Sequence, residues 1–201
     1  MTIALIDYGA GNLTSVRKGL VAAGAEVVIP VSPAALIDCS AIVIPGVGHF
    51  GATAALHDGW RDAIGRRVEA GVPLLGICLG MQWLFEGSDE DPAIAGIGLL
   101  AGRCTRLTVE RPLKVPHVGW NTLTVSGSSA ILQGIASGTQ VYFTHSFVAP
   151  VGPACAASSR HGDIFAAAVE SGHIAGVQFH PEKSGEAGIR ILRNFVAWTR
   201  R

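Results

Sequence analysis

The chain has 201 residues, a length that suits one domain, 1–201. Its 49% hydrophobic residues can fill a large core, and its 15 basic and 15 acidic residues cancel, which argues against a nucleic-acid or anionic-membrane partner. Four scattered cysteines match neither a metal pattern nor a disulfide framework and point to reduced thiols in the cytoplasm.

In chain order, Met1–Asp7 opens as a strand rather than a signal peptide, since it has no basic flank. Ile3–Ile6, Val27–Ile29, Ala41–Ile44 and Val72–Leu75 are short and apolar throughout, as parallel strands buried on both faces must be. Between the first two, Asn12 is placed to cap a helix that runs to about Ala23 and ends at Gly24. A second helix is predicted over Thr53–Ala70, with Leu56, Trp60, Ile64 and Val68 on one face and Gly71 closing it. Strands alternating with helices imply a doubly wound α/β fold with a mostly parallel sheet.

Gly76-Ile77-Cys78-Leu79-Gly80 follows the fourth strand and leads into a helix at Met81–Phe85. A cysteine between glycines at a strand-to-helix turn is the elbow geometry that exposes a nucleophile, and the helix start favours the thiolate. Cys39, Cys104 and Cys155 read as small apolar core residues. Asp89-Glu90-Asp91 reads as a solvated loop, and Arg66-Arg67 and Arg200-Arg201 as solvated helix ends.

The second half reads as strands joined by Gly, Ser and Pro turns: Arg106–Val109, Val118–Val125, Gln140–Val148, Cys155–Ser159 and Ile164–Glu170. Ser126–Ser129 reads as a hairpin turn. These strands form an antiparallel extension that returns to the main sheet at Ile174–Phe179, and Gly185–Trp198 is the closing helix. Pro181 stops the last strand, so His180 and Glu182 project at the carboxyl edge, where open α/β sheets build their sites. No apolar run is long enough to span a membrane.

Cys78, His180 and Glu182 supply a nucleophile, a base and the group that orients it. Such a set attacks an acyl carbon, holds it as a thioester and releases it to water. The Leu79 N–H is one oxyanion donor, and Pro45-Gly46-Val47-Gly48 offers a second through the Val47 N–H. The set calls for no metal and no cofactor.

Pro45–Gly48, Gly76–Gln82 and Gln178–Glu182 together resemble the class I, triad glutamine amidotransferases. Asp7-Tyr8-Gly9-Ala10-Gly11-Asn12, Pro116-His117-Val118-Gly119-Trp120-Asn121 and His180–Ser184 narrow the resemblance to the glutaminase subunits of imidazole glycerol phosphate synthases, over essentially the whole chain. The resemblance implies hydrolysis of L-glutamine at Cys78. It also implies passage of the ammonia to a cyclase subunit, a (β/α)8 barrel, in histidine biosynthesis. By position it implies that Gln82, Glu90 and the Thr144-His145-Ser146 segment hold the glutamine head group, and that Trp120 and Lys183 meet the barrel. Phe147 stands where the family often has tyrosine. Two other readings share the elbow. Another triad amidotransferase, serving pyridoxal phosphate or anthranilate synthesis, is opposed by Asp7–Asn12. A non-enzymatic cysteine module of the redox type is opposed by the intact His180 and Glu182.

Overall fold

A computed structural model describes residues 2–199. In chain order the first half runs β1 (Thr2–Leu5), α1 (Leu13–Ala22), β2 (Glu26–Val28), β3 (Ala41–Ile44), α2 (Trp60–Glu69), β4 (Leu74–Ile77) and α3 (Leu79–Trp83). Short strands β5 (Gly87–Ser88), β6 (Asp91–Ala95) and β7 (Arg103–Arg106) follow. The second half runs β8 (His117–Thr122), β9 (Thr124–Val125), β10 (Gln140–His145), β11 (Phe147–Val148), β12 (Cys155–His161), β13 (Asp163–Ser171), β14 (Ile174–Val177) and α4 (Gly185–Trp198).

The main sheet has eight strands in the order β2-β1-β3-β4-β14-β13-β12-β9. Its first half pairs parallel, β14 joins β4 in parallel, and β13, β12 and β9 extend it antiparallel. The expected return to the sheet is therefore present. Burial on both faces explains β1, β3 and β4, but not the strand expected at Val27–Ile29: β2 is the sheet's edge strand, and Val28 and Ile29 are exposed. Ile3, Leu5, Val43 and Ile77 pack on one side with Val16, Leu20, Leu192 and Phe195. Ala4, Ile6, Ile42 and Ile44 pack on the other with Phe50, Ile64 and Trp83. Asn12 caps α1 as expected, its side chain accepting from the Ser15 N–H at 3.1 Å.

Several local expectations need correction. The helix expected over Thr53–Ala70 is a 3-10 turn at Phe50–Leu56 followed by α2, because Gly59 takes a left-handed φ of 79° and restarts the chain. Val118–Val125 is two strands in two sheets, since β8 pairs β10 whereas β9 pairs β12. Gln140–Val148 likewise breaks at Ser146, and β11 turns to β7. The strand placed at Arg106–Val109 lies earlier, as β7; beyond it the Leu107 N–H donates to the Ser146 carbonyl.

Ser126–Ser129 makes no hairpin: the Ser126 N–H donates to Ala156, and the Ser129 hydroxyl to the Glu170 carboxylate at 2.7 Å. The acidic stretch at 89–91 leads directly into β6 rather than forming a free loop. Arg67 is no purely solvated end, since its guanidinium donates to the Cys39 carbonyl at 2.8 Å. Arg200 and Arg201 lie outside the described residues. Cys39 and Cys104 are buried, Cys155 only partly, and all four cysteines are free thiols. No described helix is long and apolar enough to cross a membrane.

Candidate active site

Cys78 lies between β4 and α3 with φ 52° and ψ −106°, the one described non-glycine residue at positive φ. Such a backbone costs about 1–3 kcal/mol and persists only where its surroundings hold it. Two glycines make the turn possible. A Cβ on Gly76 would lie 2.6 Å from the Gly80 carbonyl oxygen and 2.7 Å from the Met81 Cα, and one on Gly80 would run into the Ile44 carbonyl.

The parallel register of β4 and β14 sets Ile77 opposite Val177, and the Cys78 N–H donates to the Val177 carbonyl at 2.7 Å. The residues that follow Val177 therefore emerge beside the cysteine. His180 Nδ1 and Glu182 Oε1 are 2.8 Å apart, and both side chains are 2% exposed. Burial pushes the imidazole pKa down, but the neighbouring Cys78 sulfur and the Glu182 carboxylate outweigh it and raise the pKa to about 9. His180 Nε2, on the side of the ring away from Glu182, has no hydrogen-bond partner among the described residues. Ser184 locks the turn, its hydroxyl donating to the His180 carbonyl at 2.6 Å and accepting from the Tyr142 N–H at 3.0 Å.

Cys78 opens into a cleft of about 280 Å³, at the small end of ligand sites, whose walls include Leu79, Gln82, Glu90, Thr144, His145 and Ser146. The structure thus gathers every expected glutamine-binding residue around the sulfur. Larger grooves, about 870 Å³ along α4 and about 510 Å³ beside α1, do not include Cys78. Glu90 is held by the Phe50 N–H at 2.8 Å. Gln82 is 4% exposed, and its amide nitrogen is spent inward on the Phe147 carbonyl at 2.9 Å and on Gln178 at 3.1 Å. Only its oxygen is left for a ligand.

The two expected oxyanion donors do not converge in this conformation. The Leu79 N–H donates to the Gly46 carbonyl at 3.4 Å. That carbonyl belongs to the same peptide as the Val47 N–H, and in a trans peptide the two point opposite ways. The Asp7–Asn12 loop holds this segment from behind: the Tyr8 hydroxyl donates to the Pro45 carbonyl at 2.7 Å. A side chain on Gly46 would strike the Tyr8 hydroxyl, so the two motifs fit each other.

Sequence reasoning gave no role of its own to two residues here, His117 and Gln178. His117 and His145 are 4% and 7% exposed, with Nδ1 of the first 3.1 Å from Nε2 of the second. Burial lowers the His117 pKa to about 4, with His161 adding to it; burial, then His117, lowers that of His145 to about 3. Gln178, the second omission, stands between Gln82 and the sulfur. A polar residue in an otherwise apolar strand was the signal available for it.

Trp120 lies on the outward face of β8, 55% exposed, beside an exposed Val118. Its ring meets Tyr142 edge-on at 6.1 Å, and the Lys183 ammonium sits 5.7 Å from the Tyr142 ring centre. Trp120 and Lys183, both expected at an interface, thus join one patch through Tyr142.

The chain matches the family model described as glutamine amidotransferase class-I over residues 4–198. Imidazole glycerol phosphate synthase subunit HisH of Gloeobacter violaceus is 49% identical over 202 residues, covering 96% of this chain and 88% of that protein. The subunit of the same name from Methanothermobacter thermautotrophicus is 43% identical over 195 residues, covering 96% and 97%. Among solved structures, a glutamine amidotransferase crystal structure aligns with a TM-score of 0.77 at 22% identity, over 98% of this chain and 99% of that one. PurLQS from Thermotoga maritima aligns with a TM-score of 0.75 at 20% identity, over 98% of each chain. At those identities the likeness speaks for the fold alone.

Proposed function

The chain belongs to the class-I glutamine amidotransferases and, within them, to the HisH subunits of imidazole glycerol phosphate synthase, and from that premise we propose how it works. It is the glutaminase subunit of that synthase. It hydrolyses L-glutamine to glutamate and ammonia and delivers the ammonia to a cyclase subunit, a (β/α)8 barrel, in histidine biosynthesis. The observation that carries this reading is the strained Cys78 beside the buried His180–Glu182 pair at the mouth of a cleft of amino-acid size.

Cys78 passes its thiol proton to His180 Nε2, the ring atom left without a partner. The sulfur bonds to the glutamine side-chain carbonyl carbon, and the carbonyl electrons move to oxygen. Collapse of this intermediate breaks the C–N bond, and His180 returns the proton to the departing ammonia. Water then gives a proton to His180 and attacks the thioester; the C–S bond breaks, His180 returns the proton to the departing sulfur, and glutamate is released. Glu182 holds the imidazole with Nε2 facing the sulfur. Glu90, the Gln82 oxygen and the Thr144–Ser146 backbone hold the amino-acid end, and the patch of Trp120 and Lys183 faces the barrel. The four free thiols suit a cytoplasmic site of action.

Cys78→Ala removes glutamine hydrolysis and leaves ammonium-dependent cyclisation by the assembled complex intact; glutamine turnover by that variant would overturn the assignment. The Gly46 carbonyl, seated on the Leu79 N–H, keeps the oxyanion site closed in the free chain. Binding of the liganded barrel turns that peptide so that the Val47 N–H faces inward. One oxyanion donor is worth ~10²–10³-fold in subtilisin, so the isolated chain is slower than the liganded complex by at least that order. Equal rates for the two would refute the closed-site reading.

A further inference from the structure

Gln178 is fully buried, lies directly after β14 and stands behind the residues that line the cleft. Its side-chain nitrogen is 3.6 Å from the Cys78 sulfur. Which end of a glutamine amide is nitrogen must be argued from its partners, and here one backbone atom decides it. The Phe147 carbonyl can only accept, so Gln82 must turn its NH2 toward it, at 2.9 Å. The second hydrogen of that NH2 then points to Gln178 at 3.1 Å and requires an oxygen there. Gln178 is left with its own NH2 facing the sulfur. His145 Nδ1, 3.1 Å from the same Phe147 carbonyl, completes the fixed end. Sequence spacing does not place these groups together; the β4–β14 register does.

We propose that Gln178 is a fourth catalytic residue of this site, whose amide N–H donates to the Cys78 sulfur and stabilises it as a thiolate, with Gln82 and the Phe147 carbonyl fixing its orientation as a donor. The proposal rests on Cys78 being the nucleophile. A hydrogen bond to an ionised group is stronger than one to a neutral group, so the donor acts whenever sulfur carries charge. That happens twice in a turnover: before attack on glutamine, and when the thioester breaks and sulfur leaves. Gln178 keeps its own protons throughout, and the thiol proton travels only to His180. A buried amide without these partners would be costly, and the two neighbours that satisfy it, Gln82 and Cys78, both line the glutamine cleft.

The test is the pH dependence of iodoacetamide alkylation at Cys78, read by peptide mass spectrometry, in the full chain and in Gln178→Met and Gln178→Glu. The titratable groups around the sulfur are His180 with Glu182 behind it, Tyr8 from the β1–α1 loop, Glu90 before β6 and His145 from β10. All are common to the three chains. Loss of a charged hydrogen bond moves the alkylation midpoint upward by about one to two units in Gln178→Met. Gln178→Glu moves it further, since an ionised carboxylate repels the thiolate. In the complex with the cyclase, kcat for glutamine falls ~10–100-fold while KM stays nearly constant, the pattern of a group acting on the reacting atom rather than on substrate binding.

Midpoints and kcat unchanged in folded variants overturn the proposal. If neither variant folds, the unaltered chain decides: the Gln178 side-chain amide resonances shift across the same pH range as Cys78 alkylation, and resonances that stay fixed overturn it. Failure of the amidotransferase reading itself would look different. The unaltered complex would not turn over glutamine, whereas the alkylation profiles would still differ among the three chains.

Discussion

Two buried pairs sit near the cleft, His180–Glu182 and His117–His145, and their imidazoles are held in opposite states. His180 is raised to about 9, whereas His117 and His145 are lowered to about 4 and 3. Burial penalises charge in all three, so depth in the protein does not separate them. The partners do. His180 faces a carboxylate 2.8 Å away and the cysteine sulfur. His117 and His145 face each other, and their outer nitrogens meet the Asn121 amide at 3.3 Å and the Phe147 carbonyl at 3.1 Å. Asn121 also donates to the Arg160 carbonyl at 2.9 Å. In that chain each ring carries one proton and no charge. A proton carrier and a rigid strut are thus made from one side chain by choosing what stands beside it.

The largest test of this contrast is catalytic. His180→Ala lowers glutamine turnover in the complex by up to ~10⁶-fold, the scale of losing the histidine base in subtilisin. His117→Asn, which keeps a polar side chain near His145, costs far less. Comparable losses from the two substitutions would erase the distinction.

Glu182→Gln comes next. It keeps the shape of the pair and removes the charge, so its rate loss is smaller than that of His180→Ala. It also brings His180 toward the depressed range of His117 and His145. A loss exceeding that of His180→Ala would invert the assigned roles.

The smallest effects lie in stability, where the two pairs act with opposite sign. The folded pKa of His180 exceeds its unfolded value of 6.5, so its contribution is complete below pH 6.5 and fades as pH rises through about 9. The folded values of His117 and His145 lie below 6.5, so their contribution is complete above pH 6.5 and is lost as pH falls through about 4 and then about 3. One unit of displacement corresponds to about 1.4 kcal/mol. Thermal unfolding followed against pH separates the two: Glu182→Gln flattens the alkaline flank and His117→Asn the acid flank. An acid flank unmoved in His117→Asn would assign that loss to other groups.

What the sequence determined by itself is whatever close neighbours dictate. Gly76 announces the elbow because a Cβ there would meet Gly80 and Met81, only four and five positions on, whereas Gly80 is also required by the distant Ile44 carbonyl. Strands β1, β3 and β4 are legible because burial on both faces leaves no polar position, and Asn12 caps α1 through a bond only three residues long. His180 and Glu182 are recognisable as a pair because only Pro181 separates them. What tertiary structure alone decided depends on pairing between distant segments. Periodicity runs unbroken through Leu123 and Ser146, yet the chain changes partner strands at both. The direction of the Gly46 carbonyl, the neutral His117–His145 pair and the amide of Gln178 at the sulfur of Cys78 all follow from contacts spanning roughly 30 to 100 residues. Local pattern reports which face of a strand is buried, but the choice of which buried groups meet is made by sheet register, and that is settled only when the whole core packs.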